Sequence, residues 1–308
     1  MIQSAEIAIC TWNRSASLAR TLDSLRELKI PVGLDWRILL VDNHSTDDTA
    51  DVIDAYAETL PIVPLVELQQ GHTLARNRAV AESRAELIIW TDDDVLVEPD
   101  WLSAYIAAAN QWPEASFFGG RIEPVFPAGR PRWISENWNQ LAGCFAARDL
   151  GGEVTPLTLQ RLPYGANFAL RGDVQRAFPF NPDLGRRGPA VVGEDELDLL
   201  RRLLDSGHQG LWVPQSSVQH VIPPERANPR YVFDYFVGQG AVLVNKGTPW
   251  TRSRWSLRWQ YLWHQFASEL GQWALPSPAW FAHLARAGLA LGQWQALVQQ
   301  QREIGEKN

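Results

Sequence analysis

Glu86-Leu87-Ile88-Ile89-Trp90-Thr91-Asp92-Asp93-Asp94 carries four apolar side chains in a row and ends in three consecutive carboxylates. An apolar run of this length predicts a strand over 86–91. Toward the N-terminus, residues 62–68, 36–41 and 6–12 read as strands too, and 36–41 is nearly continuous in apolar character. Helical spacing fills the gaps: over 15–28 through Leu18, Leu22 and Leu25, then over 46–59 and 73–83. Strand–helix–strand units of this length predict an α/β fold with a mostly parallel, Rossmann-like sheet and helices on both faces.

In such an open sheet the ligand sits outside the carboxyl ends of the strands. Three polar clusters fall at those ends: Thr11-Trp12-Asn13-Arg14, Asp42-Asn43-His44-Ser45 and Thr91-Asp92-Asp93-Asp94. Adjacent carboxylates repel one another, and partial burial raises that cost. A divalent cation removes it, and hard oxygen ligands suit Mg²⁺ or Mn²⁺. A solvated acidic turn that caps the next helix is the plainer alternative. Ser45 with Asp48 reads as a capping box, which leaves Asp42 free to accept hydrogen bonds from a base or ribose.

Gln70-Gly71-His72-Thr73-Leu74-Ala75-Arg76-Asn77-Arg78 places two arginines in the first turns of a helix, where they oppose its dipole. An anionic ligand beside that helix end reverses the sign. Arg76 is assigned to such a ligand and Arg78 to solvent. Further along, 124–133 reads as a loop, 164–170 as a strand and 194–204 as a helix with Leu200, Leu203 and Leu204 on its core face. Residues 211–221 read as a strand. Acids opening a helix, here Glu194 and Asp195, are ordinary; the preceding loop, Gly185-Arg186-Arg187-Gly188-Pro189, hints at a site that opens and closes.

The 308 residues are 45% hydrophobic and 20% charged, an ordinary globular composition. A net charge of -7 argues against a general nucleic-acid binder. Cys10 and Cys144 cannot build a disulfide framework. No basic segment followed by an apolar stretch opens the chain, and no window reaches the length of a membrane span. A cytoplasmic chain is therefore expected.

The order Thr-x-Asn-Arg, Asp-Asn-x-Ser-x-Asp, Gly-x-x-x-Ala-Arg-Asn, Asp-Asp-Asp, Gly-x-Asn, Glu-Asp and a late His resembles the family 2 inverting glycosyltransferases of GT-A fold, over residues 5–222. The resemblance implies a nucleotide-diphosphate sugar donor, UDP being the commonest, and a saccharide or lipid-linked acceptor with a hydroxyl nucleophile. It implies a base pocket of Thr11, Asn13 and Asp42, with Arg14 in the same donor-binding cluster and Arg76 on base, ribose or diphosphate. Asp92-Asp93-Asp94 resembles the DxD motif, with Asp92 and Asp93 toward the donor and Asp94 on Mn²⁺ or Mg²⁺. Gly165 and Asn167 match the segment lining sugar and acceptor, beside Glu194. Asp195 matches the catalytic base, Arg201 a later arginine of that helix, and His220 a metal or phosphate contact. Cys10 stands where many relatives have Pro, and Trp12 where they carry a smaller aromatic. The expected division is 1–112 for the nucleotide sugar, 113–225 for acceptor and catalysis, and 226–308 as a helical appendage.

Rival classes fit less well. An oxidoreductase needs a Gly-x-Gly-x-x-Gly turn where this chain has Thr11-Trp12-Asn13-Arg14. A nucleotidyltransferase needs a glycine-rich basic loop near the N-terminus. A catalytically inactive sugar-nucleotide-binding or membrane-recruitment module would keep the fold and lose the base.

In the tryptophan-rich C-terminal region, broken at Pro276 and Pro278, Trp255, Trp259, Phe266 and Leu270 recur at helical spacing with Lys246, Arg252, Arg254 and Arg258 nearby. The expected fate of that face is packing, against the catalytic domain or against Trp280, Leu284 and Trp294. The alternative is peripheral membrane contact through residues 246–275, at the inner face of the membrane.

Overall fold

The computed structural model describes residues 1–185, 194–245 and 254–306. Nine strands form one sheet: β1 (Ser4–Thr11), β2 (Asp35–Asp42), β3 (Ile62–Val66), β4 (Leu87–Thr91), β5 (Val95–Val97), β6 (Ala115–Val125), β7 (Thr155–Pro156), β8 (Asn167–Arg171) and β9 (Gln209–Val221). Their order is β3-β2-β1-β4-β8-β6-β9-β5, with β7 on β9. β3, β2, β1 and β4 run parallel, and β8 enters antiparallel between β4 and β6. This is the mostly parallel α/β sheet that the apolar runs predict.

Helices α1 (Ser15–Arg26), α2 (Thr49–Ala57), α3 (His72–Glu82) and α4 (Trp101–Gln111) connect the first six strands. Two short helices follow, α5 (Arg132–Glu136) and α6 (Trp138–Leu141), then α7 (Gly172–Ala177) and α8 (Asp195–Asp205). The chain ends in α9 (Pro229–Asn245), α10 (Arg254–Ala274) and α11 (Ser277–Glu306).

Alternation explains why the strands are apolar throughout. Ile7, Ile9, Ile38, Leu40 and Ile89 join one core with Leu18, Leu22 and Leu25 of α1. Ala8, Leu39, Val41, Ile88 and Trp90 join a second core with Ala79 of α3 and Leu199, Leu200 and Leu203 of α8. Both faces of the sheet are thus covered.

The chain resolves into two units. One comprises 1–125, 145–185 and 194–221; the other comprises 126–144 and 222–306. In the second, α9, α10 and α11 pack together, and Trp280 and Phe281 of α11 meet Trp133 of α5.

Several expectations need correction. β5, β6 and β7 were not foreseen, and part of the loop expected over 124–133 belongs to β6 and α5. The helix expected from 46 begins at Thr49, and the strand expected over 164–170 is Asn167–Arg171. Of the proposed opening loop, residues 186–193 lie outside the described residues, as do Lys246 and Arg252.

Candidate active site

Strand β1 lies between β2 and β4, and the crossovers leave it in opposite directions. That switch point opens a crevice at the carboxyl ends of the strands. The loops beyond β1 and β2 are stapled together there. The Asn13 amide donates to Ser45 Oγ at 2.9 Å, and Asn13 Oδ1 accepts the Thr46 amide at 2.7 Å. Asp42 joins this arrangement through one oxygen: its Oδ1 accepts the Ser45 amide at 2.9 Å. The expected capping box is absent too. Ser45 is committed to Asn13, and Asp47 accepts the Thr49 amide at the start of α2.

Asn43, given no role in the sequence reading, ties this loop to the next helix. Its amide nitrogen donates to the carbonyls of Glu67 and Gln69, and its oxygen accepts the Gly71 amide. The turn into α3 is thereby held, and α3 carries His72 and Arg76.

The carboxylates after β4 form one half of the site. Thr11 Oγ1 donates to Asp93 Oδ2 at 2.7 Å. A single nitrogen of Arg14, Nη1, donates to Asp93 Oδ1 at 2.7 Å and to Asp94 Oδ2 at 2.9 Å. Burial pushes Asp93 up to about 6; Arg14 opposes that shift and Asp94 adds to it.

Pairing of β5 with β9 sets His220 opposite Val95, so its Nε2 lies 3.4 Å from Asp94 Oδ1. The other ring nitrogen, Nδ1, is 2.9 Å from the Phe145 carbonyl. A carbonyl only accepts, so Nδ1 carries a hydrogen, and Nε2 faces the Asp94 carboxylate. Among the described residues no group of three His, Cys, Asp or Glu gathers as a metal cage. Mg²⁺ beside a nucleotide is held by one or two carboxylates, its shell completed by phosphate oxygens and water. Asp94 supplies a hard oxygen of that kind, and His220 lies beside it.

The other half is sealed. Asp195, the first residue of α8, is 1% exposed, and its Oδ2 accepts from Arg76 Nη1 at 2.8 Å. Arg76 also lies 3.6 Å from Glu196 and 3.9 Å from Asp92, within 5.1–5.8 Å of the rings of Trp90, Phe168 and Phe180. Its Nη2 donates to the Gly165 carbonyl at 3.4 Å, and a Cβ on Gly165 would come within 2.7 Å of that nitrogen. Burial acts to raise the Asp195 pKa, but Arg76 and His72 outweigh it and hold the carboxyl well below the usual carboxylate range.

His72 escaped the sequence reading, although Gly71-His72 opens the helix that carries Arg76. Its Nδ1 is 3.4 Å from Asp195 Oδ2, and burial, with Arg76, lowers its pKa. Glu194 precedes α8, 3.9 Å from Arg201.

The structure therefore gathers Thr11, Arg14, Asp93, Asp94 and His220 in one cluster, and Gly165, Arg76 and Asp195 in a second. Asp92 reaches toward Arg76 between them. Asn167 joins neither. It is fully buried; its oxygen accepts from Trp101 and Tyr105, and its nitrogen donates to the carbonyls of Arg121 and Ser216. With its hydrogen-bonding capacity used inside the core, it has nothing left to offer a sugar.

A family model described as Glycosyl transferase family 2 matches residues 6–161. The chain belongs to this family. This glycosyltransferase is 24% identical over 242 residues to the glucosyl-dolichyl phosphate glucuronosyltransferase of Haloferax volcanii, covering 75% of this chain and 72% of that one. It is 25% identical over 230 residues to the succinoglycan biosynthesis protein ExoM of Rhizobium meliloti, covering 72% and 68%. The mannosyltransferase of Pyrobaculum calidifontis, solved with GDP-Man and Mn²⁺, has the same fold: TM-score 0.57 at 18% identity, covering 96% of this chain and 86% of that one.

Proposed function

We propose that this glycosyltransferase moves a hexosyl unit, with inversion, from a nucleotide-diphosphate sugar to a hydroxyl of a saccharide or lipid-linked acceptor. A UDP-sugar is the expected donor, and polysaccharide or glycolipid assembly the setting. The observation that carries this reading is the pairing of two acidic clusters across Arg76, one with two acids on a single Arg14 nitrogen and one holding a sealed carboxylate. The Haloferax relative, a glucosyl-dolichyl phosphate glucuronosyltransferase, favours an acceptor carried on a lipid phosphate. The ExoM likeness favours polysaccharide assembly.

In the proposed step the acceptor oxygen attacks the anomeric carbon while Asp195 takes its proton. The bond from that carbon to the diphosphate breaks, and the nucleoside diphosphate leaves with the electron pair. Arg76 keeps Asp195 ionised and reaches Asp92 on the donor side. A divalent cation held by Asp94 and His220 would neutralise charge on the departing diphosphate. Thr11 and Arg14 hold the Asp93-Asp94 turn in place.

A panel of UDP- and GDP-sugars, assayed for turnover with Mn²⁺, with Mg²⁺ and with chelator, tests the reading. Turnover that needs the cation and collapses in Asp94→Asn is expected. Full turnover in excess chelator would remove the metal role. Donor binding without turnover under every condition would favour the inactive sugar-nucleotide-binding module.

A further inference from the structure

Helix α10 is built inside out. Toward α11 it turns His264, whose Nδ1 is 2.9 Å from Nδ1 of His283, and Gly271, where a Cβ would come within 2.8 Å of Trp280. The opposite side carries Trp255, Trp259, Trp263, Phe266, Leu270 and Trp273, each between 56% and 93% exposed. Their spacings of four, four, three, four and three residues make a single stripe along the helix. Within this unit the stripe does not pack on α11: Trp280 and Leu284 of α11 are buried, and the α10 aromatics are not. Bulky apolar side chains exposed in a continuous stripe mark a surface that receives a partner.

Composition and charge select the partner. Four of the six side chains are tryptophan, whose apolar ring and polar N–H suit the boundary between hydrocarbon and water. The chain has a net charge of -7, yet residues 246–268 hold Lys246, Arg252, Arg254 and Arg258 and no acid. Arg258 is exposed, one turn ahead of Leu262. No described helix is long and apolar enough to cross a membrane. A 21-residue helix, about 31 Å long, with one aromatic side and nearby cations, lies along an interface. We propose that the exposed side of α10 seats on the surface of an anionic bilayer. The inference stands on unit-two residues alone and does not depend on the catalytic assignments.

The test uses the full chain and two vesicle preparations, phosphatidylcholine alone and phosphatidylcholine mixed with phosphatidylglycerol. Flotation with the anionic vesicles, weakened by salt, is expected, together with quenching of tryptophan fluorescence by brominated lipid. The double variant Trp259→Ser with Trp263→Ser should partition roughly tenfold more weakly or worse, with an unchanged melting temperature because both side chains are already exposed. Absence of flotation and of quenching at low salt would overturn the proposal. So would a dimer in place of flotation, abolished by the same double variant, since a second copy would then cover the face. Equal binding to neutral vesicles would overturn the anionic part.

Discussion

Asp93 and Asp195 are both buried and both meet a guanidinium, yet their pKa values move in opposite directions. Burial raises each, so the difference lies in the cations. One nitrogen of Arg14 is divided between Asp93 and Asp94 at similar distances, and Arg14 is about a third exposed, with a side-chain exposure of 35%. Arg76 is sealed, has Asp195 as its nearest acid, and is backed there by His72. The first cluster shares one guanidinium nitrogen between two acids, and the second gives Asp195 a sealed guanidinium nitrogen as its nearest cation. A carboxylate so held stays ionised.

The widest break in this comparison comes from removing the sealed charge. Asp195→Asn should lower turnover about 10²–10⁴-fold while donor affinity, read by calorimetry, is kept. A near-normal kcat in this variant would move the base elsewhere, with Glu194 next in line.

Removing the partner instead leaves a buried charge alone. Arg76→Gln should cost about 3–5 kcal/mol of stability. The sign follows from the depressed Asp195 pKa: the stabilisation is present above the ordinary carboxylate range and is lost as pH falls through the folded-state value. Urea melts across pH should therefore show a loss in strong acid for the parent and little such loss for the variant. Identical melts would mean the pair contributes nothing.

On the Arg14 side the sign reverses. Asp93, raised to about 6, favours its protonated form in the folded chain, so its contribution is present below the unfolded pKa and lost as pH rises through about 6. A cation on neighbouring Asp94 favours the ionised form of Asp93. Mn²⁺ affinity should fall by up to about tenfold per pH unit below that value, with a proton released on binding. Calorimetry in two buffers of different ionisation enthalpy measures the release; none at all would erase the contrast between the two acids.

How much of this was legible in the sequence depends on range. Ile88 to Trp90 and Ile38 to Val41 announce a sheet because burial on both faces leaves no polar position. β6 did not announce itself, since Gly119, Gly120 and Pro124 read as breakers. The fold needs Gly120 there, because a Cβ would come within 2.0 Å of the Ser216 carbonyl. Acids at strand ends were readable, but side-chain direction was not, so Asn167 read as a site residue when it ties the core. His72 meets Asp195 across more than a hundred residues of chain, beyond any local pattern. Amphipathic spacing likewise treats α8 and α10 alike, although one buries its stripe and the other exposes it. Periodicity reports that a face exists and is silent on what covers it.

The smallest expected effect isolates Arg14. Its Nη1 lies within hydrogen-bond distance of oxygens on both Asp93 and Asp94, including the acid assigned to the metal. A cation approaching Asp94 must compete with that guanidinium. Arg14→Gln removes the competitor and leaves two neighbouring carboxylates with less positive charge between them. Mn²⁺ affinity without nucleotide should therefore rise, by roughly threefold to tenfold, because a partly exposed pair is screened by water. The gain should shrink as salt is added. Manganese titration followed by electron paramagnetic resonance, at low and high salt, reads both. A fall in affinity would mean that Arg14 orders the turn for the metal more than it competes with it. Arg14 would then be a positioning residue for the Asp93-Asp94 turn.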